Sequence, residues 1–153
     1  MVKLDKLSED ERSHLISIPC PIFHTTPWVS GPPLSKRRIA IVSTAGLHRR
    51  NDRPFDVGAT NYRLIPANTP FRDLVMSHIS TNFDRTGFQQ DINVIFPLDR
   101  MRELVQQGVI GSIADYHYSF MGATAPEKMV VTARSIARIM KKDYVDGVLL
   151  IPV

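Results

Sequence analysis

His48, His78 and His117 each stand in or just after a short apolar run, where the chain could hold an imidazole at the end of a strand. Histidine is the side chain whose ordinary titration lies nearest neutral pH, so this placement suits a general acid or a proton shuttle. Singly, each reads more readily as a hydrogen-bonded structural histidine than as an actor; together they mark a candidate site. No His-x-x-x-His or Cys-rich spacing accompanies them, so a zinc centre has no sequence support and no metal is expected. Arg49, Arg50 and Arg53 follow His48 closely. A planar guanidinium holds a carboxylate through two parallel hydrogen bonds, so these residues are candidates to bind an amino-acid-like substrate, with a solvated loop as the bland alternative. Asp84, Arg85 and Asp91 surround Gly87 and could orient a histidine or simply pair at the surface. Gly-x-x-x-x-Gly-Lys, Gly-x-Gly-x-x-Gly and Gly-x-Ser-x-Gly are all missing, which removes the common nucleotide loops and the serine-hydrolase elbow. Ser43 and Ser77 therefore have no special claim to be nucleophiles. Cys20, the single cysteine, lies between two prolines and has no neighbour in sequence that would activate it.

These residues need a scaffold, and from Ile39 onward short apolar runs alternate with helical patterns, the signature of βαβ units. Ile39–Val42 reads as a buried strand, followed by the small-residue turn Ser43–Gly46 and a long polar loop from Asn51 to Asn68. Leu74–Met76 and Asp91–Phe96 read as further strands. Pro97 opens a helix with Leu98, Met101, Leu104 and Val105 on one stripe, and Gly108 supplies its stop. Ser112–Ser119 reads as one strand. Thr124 and Glu127 have capping-box spacing ahead of a helix from about Pro126 to Lys142, and Val145–Val153 reads as a buried parallel strand. The expected fold is α/β: a mostly parallel sheet flanked by helices, Rossmann-like or flavodoxin-like. In such sheets ligands bind beyond the carboxyl ends of the strands, where the three histidines fall.

Residues 1–38 differ in texture. They hold five of the 11 prolines, Pro19, Pro21, Pro27, Pro32 and Pro33, and read as an extended arm with one short helix near Glu9–Ile16 capped by Ser8; residues 39–153 read as the α/β domain. At 153 residues with 43% hydrophobic and 22% charged content, the chain is an ordinary globular protein rather than a disordered or fibrous one. Its net charge of +4 favours anionic ligands but is too small for a nucleic-acid footprint. One cysteine cannot form an internal disulfide, and no signal-peptide core or membrane-spanning run is present, so a soluble protein of the cytoplasm is expected.

Several segments resemble the selenoprotein B family of glycine, sarcosine, betaine and D-proline reductases. They are Val42–Arg50 with Asp52–Phe55; Met76-Ser77-His78 continuing to Asn82-Phe83-Asp84; Asp91–Asp99; Gly108–Gly111; Phe120-Met121-Gly122; and Val145–Leu150. The resemblance spans Ile39 to Val153. It implies a selenocysteine or cysteine after the last strand, commonly in a Sec-x-x-Cys or Cys-x-x-Cys arrangement, and the expectation is therefore that the product continues past Val153 with that residue. A selenolate there would attack the α-carbon of a small amino-acid or betaine-like substrate and cleave its C–N bond reductively. The resemblance further implies a pyruvoyl group on a partner subunit, with thioredoxin or a dithiol as reductant. On this reading His48 and His117 deliver a proton to the departing amine, Asp91 orients a neighbour, and Arg49, Arg50, His78 and Asp84 contribute to binding. The competing reading is a non-catalytic module that holds a small anion or a partner subunit in the same strand-end pocket.

Overall fold

The computed structural model of the chain describes all residues except 1, 2, 21, 23, 27 and 80–84. Its centre is β1 (Arg38–Ser43), whose side chains alternate between two cores: Ile39 and Ile41 enter one core cluster while Ala40 and Val42 face the other. Successive strand residues point to opposite faces, so a run without polar interruption is what a strand covered on both sides requires. Parallel partners flank it. β5 (Ser112–Ile113) and β6 (Tyr116–Ser119) lie end to end along one side, pairing with opposite ends of β1, and β7 (Gly147–Ile151) runs along the other. β3 (Arg63–Pro66) adds an antiparallel edge on β6, completing a five-stranded, mostly parallel sheet.

Two helices cover the two faces. α3 (Leu98–Gln106) buries Leu98 and Met101 against Ile39, Ile41, Ile65 and Phe96, and ends at Gly108, whose φ of 71° is the left-handed stop a glycine adopts without strain. α4 (Pro126–Lys142) buries Ile136 and Met140 against Ala40, Tyr118 and Phe120. The expected α/β class, with a mostly parallel sheet and flanking helices, is the one observed. α1 (Glu9–Ser17) carries a complete capping box between Ser8 and Glu11 and buries none of its residues.

Several elements differ from the sequence expectations, each for a physical reason. The loop expected over Asn51–Asn68 contains β3, which the terminal Pro66 disguises; proline is tolerated there because β3 is an edge strand. β2 (Leu47–Arg49) was hidden by its length and polarity. It pairs antiparallel with β4 (Leu74–Met76) in a separate two-stranded ribbon, so β4 does not join the main sheet. Asp91–Phe96 is not a strand: the Asp91 carboxylate accepts hydrogen bonds from the backbone and side-chain N–H of Asn93 at 2.9 and 2.8 Å, which locks a single 3₁₀ turn after the short helix α2 (Thr86–Gln90). The strand read over Ser112–Ser119 is split at Ala114–Asp115, where the Asp115 N–H turns to the Asp143 carboxylate at 2.8 Å. The hydroxyl of Thr124 donates to the Ala59 carbonyl at 2.9 Å instead of capping α4. β7 is parallel but is not buried: Val148 and Leu150 are 46% and 67% exposed on an edge.

Candidate functional site

The turn after β1 is where the two sheets meet, and its small residues explain how. Ser43 donates its hydroxyl to the Ile95 carbonyl at 2.8 Å, and the Gly46 N–H donates to the Phe120 carbonyl at 2.7 Å. The Leu47 N–H donates to Ser119 Oγ at 2.8 Å. Gly46 has φ of 66°, and a Cβ on it would lie 2.8 Å from the His78 backbone nitrogen. Only glycine fits both constraints. The carboxyl end of β7 is tied to the same turn: the Thr44 N–H donates to the Ile151 carbonyl at 3.1 Å, and the Val153 N–H donates to Thr44 Oγ1 at 2.8 Å. Gly122 closes the cradle with φ of 93°; a Cβ there would meet the Thr44 carbonyl at 2.7 Å and His78 Nε2 at 3.5 Å.

The β2–β4 ribbon brings two of the expected histidines to this end of the sheet. His48 is opposite Val75 in the register, so Ser77 is its diagonal neighbour on the same face. His48 Nε2 lies 2.7 Å from Ser77 Oγ, and His48 Nδ1 lies 2.9 Å from the Arg49 carbonyl. A carbonyl can only accept, so neutral His48 carries its proton on Nδ1 and Ser77 donates its O–H to Nε2. His48 is 4% exposed and Ser77 is half-buried. His78, 7% exposed, follows Ser77 and reaches the Val153 backbone. Burial pushes its pKa below the usual histidine value, the Val153 hydrogen bond opposes this, and the charge of Arg85 adds to it. Arg85 in turn donates to the His78 carbonyl at 2.6 Å.

The remaining expected residues are placed differently. His117 is completely buried in β6, edge-to-face with Phe96 at 5.8 Å, and its Nδ1 accepts the Ile41 N–H at 3.0 Å. That bond satisfies the stretch of β1 between the ends of β5 and β6, which is a structural task within the sheet. Burial, reinforced by the positive charges of Arg102 and Arg38 and opposed by Asp143, lowers its pKa to about 4. Asp91 is exposed and held in its turn, where the Asn93 hydrogen bonds keep its carboxyl below the usual range. Arg49 is exposed, and its guanidinium has no partner among the described residues. Arg50 donates to the Arg72 carbonyl at 3.0 Å, and Arg53 pairs with Asp56 at 2.8 Å in solvent. Asp84 lies outside the described residues.

Sequence reasoning missed Ser77, Thr44, Gly122 and Arg63. Ser77 is 29 residues from His48, a separation no local motif reports. Arg63 is buried; it donates to the carbonyls of Arg53, Pro54 and Tyr62 and stacks 4.3 Å over Phe55, which fastens the loop that follows His48. Among the described residues no three His, Cys, Asp or Glu side chains gather as a metal-binding group, and no helix is long and apolar enough to cross a membrane. Cys20 is exposed and free. What this end of the fold offers chemically is a shielded histidine coupled to a hydroxyl, a second buried histidine against the end of β7, and an exposed guanidinium beside them in sequence.

Comparison with known proteins gives this arrangement a context. The family described as glycine/sarcosine/betaine reductase selenoprotein B matches residues 5–152. The D-proline reductase subunit gamma of Acetoanaerobium sticklandii is 35% identical over 120 residues, covering 76% of this chain and 49% of its own length. The glycine reductase complex component B subunit gamma of Symbiobacterium thermophilum is 33% identical, covering 86% of this chain and 32% of its own length. The sarcosine reductase complex component B subunit beta of Peptoclostridium acidaminophilum is 31% identical, covering 85% of this chain and 30% of its own length. The chain thus spans half or less of the relatives it matches. No solved structure matches it.

Proposed function

Because this chain belongs to the glycine/sarcosine/betaine reductase selenoprotein B family, we propose that it forms part of a reductase complex that cleaves the C–N bond of a small amino-acid or betaine-like substrate. Glycine, sarcosine, betaine and D-proline define the substrate class. The single observation that carries the proposal is the family match along nearly the whole chain, and the geometry is compatible with it: the end of β7 is clamped to Thr44 next to His78, at the carboxyl ends of the parallel strands.

In this proposal a selenocysteine or cysteine follows Val153. Bound at that position, its selenolate or thiolate would supply the nucleophile and the electrons for reductive cleavage. The residues present fit such a group. Thr44 fixes the approach of the backbone, and Gly122 packs so closely beside it that a Cβ would lie 2.7 Å from the Thr44 carbonyl and 3.5 Å from His78 Nε2. Arg49 holds the substrate carboxylate, with Arg50 beside it, and His48 is the proton source for the departing amine. The pyruvoyl group that activates the amine belongs to a partner subunit, and a dithiol or thioredoxin restores the reduced state.

The test is chemical. Sequencing the coding DNA past the Val153 codon and measuring the mass of the protein purified from its source organism should show an in-frame selenocysteine or cysteine. A product that ends without either residue would refute the assignment of the nucleophile.

A further inference from the structure

We propose that His48 and Ser77 form a proton relay in which Ser77, not the imidazole, is the catalytic residue that touches the substrate amine, with His48 acting through it. The inference rests on the reductase reading above and deepens it. Its basis is exposure and hydrogen-bond direction. His48 is 4% exposed, and both of its ring nitrogens are engaged, Nδ1 by the Arg49 carbonyl at 2.9 Å and Nε2 by Ser77 Oγ at 2.7 Å. An imidazole so enclosed cannot meet a substrate directly. Ser77 is half-buried and immediately precedes His78, whose ring reaches the Val153 backbone, so its hydroxyl is the group through which a proton can leave the pair.

The fixed carbonyl partner matters because it sets the tautomer. With Nδ1–H committed to Arg49, Nε2 is the only nitrogen that gains and loses a proton, and it does so toward Ser77 Oγ. This is the arrangement of a base, a hydroxyl and a third group that orients the base, built here with a main-chain carbonyl in the third role. In the forward step a bond forms between the α-carbon and the selenolate or thiolate while the C–N bond breaks and its electron pair stays on nitrogen. Ser77 Oγ–H passes its proton to that nitrogen while the Nε2–H of the His48 imidazolium passes its proton to Oγ. His48 ends neutral and the serine is regenerated. The two electrons that reduce the carbon come from the selenolate or thiolate and are restored by a dithiol, so the relay moves one positive charge and no electrons. It commits the protein to a primary or secondary amine substrate, since a departing trimethylamine needs no proton.

The relay is tested at two levels. In the 153-residue chain, nitrogen-15 NMR of the His48 ring should show Nδ1 protonated and Nε2 unprotonated in the neutral form; the opposite tautomer would overturn the relay. In the reductase complex assembled with the native protein, Ser77→Ala should lower kcat by about 100-fold or more with KM within about twofold, and Ser77→Thr should restore most of it. The proton inventory in mixed light and heavy water should be curved for the native protein, reporting two protons in flight, and lose that curvature in Ser77→Ala. A native backbone amide spectrum for Ser77→Ala separates this result from misfolding. Reductant-dependent C–N cleavage by the native complex that is unchanged in Ser77→Ala would overturn the relay and leave the reductase reading standing. No cleavage of any of the four substrates by the native complex, whether read as amine release from glycine, sarcosine or betaine or as ring opening of D-proline, would overturn both.

Discussion

Acid should weaken this fold through His117 in a way that can be calculated. Its Nδ1 accepts the Ile41 N–H at 3.0 Å, and the ring is completely buried, so protonating Nδ1 would set two donors against each other inside the sheet. Burial and neighbouring cations lower its pKa from 6.5 to about 4. The unfolded chain therefore binds the proton more readily than the folded one between these values, and stability falls as pH drops from 6.5 toward 4. The full stabilisation is present above pH 6.5. At roughly 1.4 kcal/mol per unit, a separation of about 2.5 units amounts to about 3 kcal/mol lost once the pH is below 4, of which about 2 kcal/mol is gone by pH 5. Urea unfolding of the native chain and of His117→Asn, whose amide oxygen keeps an acceptor near the Nδ1 position, isolates this contribution from the carboxylates. The difference in stability between the two proteins should change by about 2 kcal/mol from pH 7.5 to pH 5, with the native chain losing more. Parallel curves would refute the reasoning, as would a His117 ring that titrates near 6.5 by NMR.

Other substitutions probe the scaffold of the site. Arg38 donates to the Asp143 carboxylate at 2.5 Å and to the Ile113 carbonyl at 2.6 Å, and pairs with Asp115 at 2.9 Å, so Arg38→Met should cost about 2 kcal/mol in urea unfolding at neutral pH. Its loss leaves a largely covered Asp143, 14% exposed in its side chain, without its cation. Gly122→Ala places a Cβ 2.7 Å from the Thr44 carbonyl at a φ of 93°, and should destabilise by about 1–3 kcal/mol and shift the His78 ring resonances. Leu150→Lys should alter the stability of the isolated chain by less than about 0.5 kcal/mol, because Leu150 is 67% exposed on the edge strand; a larger loss in thermal or urea unfolding would contradict the open face of β7.

The elements that could be read from the sequence are those whose signal is local. β1 and α4 announce themselves by apolar periodicity, and α3 by its stripe and the left-handed Gly108. Most of the failures arise where distant partners override local pattern, and one arises from a local hydrogen-bonded turn. The aliphatic run after Asp91 has strand-like composition, but two hydrogen bonds from Asn93 to one carboxylate turn it. β2 and β3 are short, and exist because β4 and β6 are there to pair with them. The candidate site was half visible. His48 and His78 do meet the strand-end turn, and the small residues around Gly46 foretell close packing there. His117 has the same residue type and a similar position along a strand, but it faces Phe96 and the Ile41 N–H, and only the register shows that. Ser77 stayed invisible because its chemistry comes from His48 across the ribbon.

The direct trial of the central claim is reductive C–N cleavage, seen as amine release from glycine, sarcosine or betaine and as ring opening of D-proline. The complex purified with this protein from its source organism, supplied with a dithiol and with nitrogen-15 labelled glycine, sarcosine, betaine and D-proline in turn, should cleave the C–N bond of at least one of them, and only when the dithiol is present. An intact complex that leaves all four substrates unchanged would contradict the account.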